Sequence, residues 1–367
     1  MTKRISRIQH PDDPALDALC DELSELASSL ETEDAWPARQ LEQCGRYGVF
    51  EWFVAEELGG QGWSEVDLAR GYLRLSAACL TTTFIITQRT GACRRIALAD
   101  NPWARQECLP ALIHGQQFAT VGISHLTTSR RHLPRPVLSA EIRGDSVVLD
   151  GYSPWVTGAE YAQWIVIGAT VDDGRQVLLA VPRDVAGVIV EPPLKLVGIS
   201  ASQTGPLRFE QAVVPRQWLL AGPTENIMDS GIGAKSGGLQ TSTLAAGLAD
   251  AAISFVERES PQRQELAAVG RSLRSQWTCL CDDLLQVAGG AGVCSNEQLR
   301  TRANSLVLRA TQSALAAAKG AGYVVGHPVG RWCREALFFL VWSCPQGVLQ
   351  AGMCELAGIT PGREPNP

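Results

Sequence analysis

Reactive side chains gather at two places in this sequence. Ser124 and His125 are adjacent, and Arg130, Arg131, His132 and Arg135 follow closely. An imidazole can give or take a proton near neutral pH, so His125 could serve as an acid or base, although a lone histidine is more often structural. The basic run could hold an anion such as a phosphate, or could be a solvated loop punctuated by two prolines. The second place is Trp342-Ser343-Cys344-Pro345. A serine hydroxyl cannot act as a general base near neutral pH unless another group activates it, and an apolar setting raises the cost of ionising it. Cys344 is the nearby group with an accessible thiolate, but no cation stands close in sequence to lower its pKa.

Other constellations carry less. Eleven cysteines run from Cys20 to Cys354, and only Cys279 and Cys281 are close. That spacing on a helix turns the two thiols to different faces, and no second pair completes a zinc site, so buried free thiols and no metal are expected. Gly289-Gly290-Ala291-Gly292 has no strand before it and no Lys-Ser/Thr after it, which makes it an interhelical loop rather than a phosphate loop.

Elements must position these groups, and composition bounds them. With 367 residues, 45% hydrophobic and 19% charged, the chain can build two or three cores. A net charge of −6 argues against nucleic-acid binding. No apolar run is long enough to span a membrane and the N-terminus has no apolar signal core, so a cytoplasmic protein is expected. Residues 1–117 read as helical: Leu16, Leu19, Leu23, Leu26 and Leu30 recur at helical spacing, and a glycine-punctuated turn precedes a second helix carrying Val66, Leu68, Tyr72 and Leu75. Residues 118–222 hold short β-prone runs at Val147–Gly151, Trp164–Gly168, Val177–Val181 and Leu207–Phe209, consistent with an antiparallel barrel or sandwich. Residues 223–367 return to long Ala- and Leu-rich helices. The whole is an α+β architecture.

The motifs resemble, in order and at family spacing, those of the acyl-CoA dehydrogenases. Gly59-Gly60-Gln61-Gly62-Trp63-Ser64 is similar to the family's G-G-x-G-x-S turn. Asp150-Gly151 through Trp155-Val156-Thr157 is similar to N-G-x-K-x-W-I-T, and Lys195 through Ser202-Gln203-Thr204 to K-x-G-x-R-x-S-x-T. Gly320-Ala321-Gly322-Tyr323, then His327-Pro328 and Arg334-Glu335-Ala336, resemble the C-terminal G-G-x-G-Y, proline and R-D-A signature. The resemblance implies an N-terminal helical domain, a central β-domain and a C-terminal four-helix bundle. It also implies FAD, with cofactor contacts at Ser124, Trp155, Thr157, Arg263, Gly320 and Gly322. From the residues alone, Trp155 could equally be a core aromatic and Thr157 a turn cap.

The same resemblance exposes departures. The family's catalytic Glu falls on Ser343, and the alternative base position of some members falls on Gly237 and Gly238. The family's T-E-P-x-A-G-S-D run is replaced by Ser124-His125 and the basic loop, where Arg130, Arg131 and Arg135 could meet a CoA phosphate or a carrier-protein phosphopantetheine. Only the arginine of R-x-x-F-G survives, as Arg263. The implied function is a flavin-dependent oxidoreductase acting on an acyl thioester or related metabolite without the usual Glu. The other class is a non-catalytic scaffold or regulatory paralogue that has lost its chemistry and perhaps FAD. Family members form dimers or tetramers and pass electrons to a redox partner; here the small-residue face Ala245, Ala246, Ala249 and Ala252 would suit a helix–helix contact between copies.

Overall fold

The computed structural model describes residues 6–32, 34–99, 101–127, 136–229 and 238–359. It begins with helices α1 (Pro14–Leu26), α2 (Ala38–Arg46), α3 (Glu65–Ala78), α4 (Leu80–Leu98), α5 (Pro102–Glu107) and α6 (Leu109–Ile113). The turn before α3 is tight because Gly60 lies directly under a carbonyl. A Cβ there would sit 1.9 Å from the Val54 oxygen, so no side chain fits. Ser64 then caps α3, its hydroxyl accepting from the Asp67 backbone N–H at 3.1 Å.

Strand β1 (Ala119–Gly122) and the short helix α7 (Ser124–Thr127) lead into β2 (Leu138–Arg143), β3 (Ser146–Thr157), β4 (Trp164–Thr170), β5 (Gln176–Pro182), β6 (Val188–Val190), β7 (Thr204–Pro215) and β8 (Leu219–Thr224). They form one sheet in the order β6-β7-β3-β2-β4-β5-β8, with β1 on β4. The sheet is mixed, not purely antiparallel: β1 and β2 both run parallel to β4. The hairpin-like repeats in the sequence report only neighbours joined by tight turns. β1 arrives from a helix, so no turn constrains its direction.

The chain finishes with three long helices, α8 (Leu239–Glu259), α9 (Glu265–Ala288) and α10 (Asn296–Ala318). The shorter α11 (Pro328–Ala336), α12 (Phe338–Val341) and α13 (Gln346–Leu356) follow. A single hydrophobic cluster joins α1–α4 to these C-terminal helices, from Leu16 through Leu75 and Ala249 to Phe339. The expected intersubunit face on α8 is therefore spent inside the chain. Ala245, Ala246, Ala249 and Ala252 are fully buried. α8 lies so close to α3 that a Cβ on Gly247 would reach 2.6 Å from the Leu73 carbonyl oxygen. The Ser76 hydroxyl donates to the Leu244 carbonyl at 2.7 Å across the same contact. Asp250 of α8 pairs with Arg274 of α9 at 2.5 Å.

Among the described residues no helix is long and apolar enough to cross a membrane, and no group of His, Cys, Asp and Glu could hold a metal ion.

Candidate active site

A cavity of about 600 Å³ lies where the helices meet the sheet. One wall is a face of α4, whose Phe84, Thr87, Gln88, Gly91 and Arg95 follow helical spacing. A second is the β1–α7 turn with Val121, Ile123, Ser124 and Thr127, joined by Trp155 of β3 and Thr204 of β7. Leu196 to Ile199, the start of α8 at Gly238, Gln240 and Thr241, and the stretch from Arg334 to Ser343 close it.

The polar groups on this lining are few and fixed. The Ser124 hydroxyl is buried and finds no hydrogen-bond partner among the described residues. Thr204 shares its hydroxyl with those of Thr157, at 2.9 Å, and Ser202, at 2.8 Å. Gln240 donates to the Tyr72 hydroxyl at 3.1 Å. Arg95 is 2 % exposed, and its Nη1 donates to the Gly91 carbonyl at 2.8 Å. Burial brings its pKa down to about 10, so it stays charged at neutral pH. Arg334 pairs with Glu31. No Asp, Glu, His, Cys, Lys or Tyr stands among the described lining residues.

Of the candidates from the sequence, Ser124, Trp155 and Ser343 come together on this lining. Gly238, which the resemblance aligns with the base of some family members, also lines the cavity, while Gly237 lies outside the described residues. Thr157 sits behind Thr204 and is not on the lining.

His125 is buried, 6 % exposed, and absent from the lining. Its Nε2 lies 2.7 Å from the Gly168 carbonyl, which only a protonated Nε2 can satisfy, leaving Nδ1 unprotonated and without a hydrogen bond among the described residues. Burial lowers its pKa to about 4. A histidine held this way is a poor proton acceptor, so its place as a candidate acid or base is not supported by its surroundings.

Arg263, Gly320 and Gly322 gather elsewhere, at the C-terminal end of α10. Arg263 Nη1 donates to the Ala317 carbonyl and its Nε lies 3.1 Å from Glu265. None of the three lines the cavity. Arg130, Arg131 and Arg135, with His132, lie outside the described residues. Burial raises the Cys344 thiol above its ordinary pKa. Arg300 of α10 works in the opposite direction, a nearby cation that sequence proximity did not show.

Arg95, Gln240, Thr204 and Arg334 were not among the candidates. The spacing of 84, 87, 88, 91 and 95 was the available signal for α4, but that helix is buried almost all round. It therefore shows no contrast between a wet and a dry face.

Helices, mixed sheet and helices around this cavity make the class of fold plain: it is the acyl-CoA dehydrogenase-like fold. This chain matches, over residues 13–116, the model of the acyl-CoA dehydrogenase N-terminal domain. It is 24% identical over 338 residues to the mitochondrial short-chain specific acyl-CoA dehydrogenase of Mus musculus, covering 86% of this chain and 81% of that protein. Its fold is similar to that of FkbI, described for biosynthesis of the methoxymalonyl extender unit of a polyketide (TM-score 0.78, 21% identity, 94% of this chain and 99% of that one). It is also similar to the dibenzothiophene monooxygenase TdsC of Paenibacillus sp. A11-2 (TM-score 0.76, 17% identity, 97% and 99% covered).

Proposed function

We propose that this chain is a flavin-dependent oxidoreductase acting on an acyl thioester or a related metabolite, by chemistry that uses no carboxylate base. The observation that carries this reading is the make-up of the cavity wall. Ser343 and Gly238 stand where the family resemblance would put a base, and no other proton acceptor is among the described lining residues.

When bound, FAD would supply the two-electron chemistry. The lining fits its ring end. Trp155 offers a flat apolar surface, Ser124 a buried hydroxyl with no partner among the described residues, Thr204 a second hydroxyl, and Arg95 a lasting positive charge. Donors and a cation fixed in advance favour electron density gathering beside them. Phe84, Phe338 and Trp342 keep that region dry, which strengthens each of these interactions.

Arg95 holds its proton at neutral pH, and the Ser and Thr hydroxyls are too weakly basic to take one. Any proton released must come from a substrate acidic enough to give it up without a strong base. A monooxygenation, the class of reaction named for TdsC, likewise asks for no carboxylate at this wall. Arg263, Gly320 and Gly322, the residues that resemble the family's adenosine contacts, would meet the cofactor of a second copy. The reading therefore includes a homo-oligomer.

The non-catalytic reading draws on the same missing base and differs in one observable. Denaturing the purified protein and measuring released flavin separates them. Flavin near one per chain supports the oxidoreductase. Colourless protein that FAD cannot reconstitute supports a paralogue without chemistry.

A further inference from the structure

The wall of the cavity next to Ser343 is held from behind by a buried cation. Arg300 of α10 is 1 % exposed, and its Nη2 donates to the Trp342 carbonyl at 2.9 Å. One turn further along α10, Asn304 Nδ2 donates to the Phe339 carbonyl at 2.8 Å. The guanidinium also lies over the Phe339 ring, 6.0 Å from its centroid. These bonds take up carbonyls at the end of α12, where the chain leaves the helix and Ser343 adopts a left-handed backbone, φ +43°. That conformation is costly for a residue with a side chain and persists only where its surroundings impose it.

Retaining an arginine here is expensive. Its Nε and Nη1 find no partner among the described residues, and burial lowers its pKa to about 10. A leucine would fill such a place at less cost if packing were the only need. What the arginine adds is a long rigid donor that reaches the Trp342 carbonyl. The ring of Trp342 is in turn locked among aromatics on the cavity lining. Its centroid lies 4.9 Å from that of Phe84, edge-on, and 5.2 Å from that of Phe338, stacked, while Phe84 and Phe338 are 4.9 Å apart.

We propose that Arg300 is a positioning residue: by holding the Trp342 carbonyl it sets the Trp342 ring against Phe84 and Phe338, and this aromatic wall limits the bulk of the substrate beside Ser343. The substrate class rests on the acyl-thioester reading above; the positioning role does not. Without the bond the turn relaxes, Trp342 gains rotamers, and bulkier groups enter.

The test compares Arg300→Met, Arg300→Lys and Trp342→Ala with the unaltered protein. Dissociation constants for butyryl-CoA and phenylpropionyl-CoA, taken from the perturbation of bound flavin absorbance, give a selectivity ratio. We expect Arg300→Met and Trp342→Ala to shift that ratio toward the bulky ligand by about tenfold, and Arg300→Lys, which keeps one donor on a similar stem, to stay near the starting value. A purely structural arginine would lower the melting temperature in Arg300→Met and leave the ratio unchanged, and that result overturns the proposal. Hydrogen exchange of the amides of residues 338–344 reads the wall without any ligand. It should rise in Arg300→Met and recover in Arg300→Lys; unchanged exchange also overturns the proposal. If neither thioester binds, the acyl-thioester reading fails separately and the exchange result still decides the role of Arg300.

Discussion

The hydroxyl of Thr157 lies 2.9 Å from that of Thr204, and of the two only Thr204 lines the cavity. Thr204 can pass its proton into the cavity while accepting from Thr157 or Ser202, because both neighbours lie within hydrogen-bond distance. Thr204→Val removes the group that faces the cavity and leaves two buried hydroxyls short of a partner. FAD affinity should fall by roughly tenfold to a hundredfold, from about 1–3 kcal/mol per lost bond. Thr157→Val should cost less, since Thr204 keeps Ser202. Titration of apoprotein with FAD checks both, and equal losses would put the two threonines on the same footing.

If Ser343 takes the place of the family's base, as proposed, this chain should be a poor conventional acyl-CoA dehydrogenase. Anaerobic mixing of the flavin-loaded protein with a chain-length series of saturated acyl-CoAs should leave the flavin oxidised. A carboxylate at this position would supply a general-base term of about 10²–10⁴-fold, so bleaching confined to Ser343→Glu would mean that the pocket still suits the reaction. Rapid bleaching of the unaltered protein would show that another group takes the proton.

His125 should make the fold sensitive to mild acid. Its pKa is lowered from 6.5 to about 4 by burial, so between those values the unfolded chain binds a proton that the folded chain refuses. The contribution is fully present above pH 6.5 and is lost as the pH falls toward 4, by an amount on the order of 3 kcal/mol. His125→Gln should melt lower at pH 7 through the disturbed bond to Gly168. It should also show a shallower decline in melting temperature from pH 7 to pH 4.5. Parallel curves for the two proteins would contradict this.

Gly198 is where the loop on the cavity rim touches α11. A Cβ there would sit 2.6 Å from the Arg334 carbonyl oxygen, so the loop must lift. Gly198→Ala should destabilise the protein by about 1–3 kcal/mol, seen as a lower urea midpoint with an unchanged slope. A neutral substitution would mean that the loop yields freely.

Association should cover the turn after α10. Tyr323, Val324 and Val325 are 87 %, 62 % and 85 % exposed, an unusual burden for consecutive apolar residues in water. Light scattering at micromolar concentration should give a dimer or tetramer, and Val325→Asp should shift it toward monomer. A monomeric unaltered protein would end this expectation.

Much of the fold was legible in the sequence because its signals are local. Short β-prone runs bounded by turn residues marked most of β4 and β5 and the first part of β3, and apolar residues at helical spacing marked α1 and α3. The order of motifs along the chain was enough to show the resemblance to the acyl-CoA dehydrogenases and the fold it implies. The site was legible in part: Ser124, Trp155 and Ser343 do share one lining. Tertiary structure alone decided the rest. It put Thr204 in front of Thr157, tied His125 to the Gly168 carbonyl, and turned the small face of α8 inward against α3. It also brought Arg300 beneath Trp342, 42 residues further along the chain. Periodicity reports whether a residue is buried, not which group it meets. A hydrogen bond between distant segments depends on how two packed elements fit, and no local pattern carries that information.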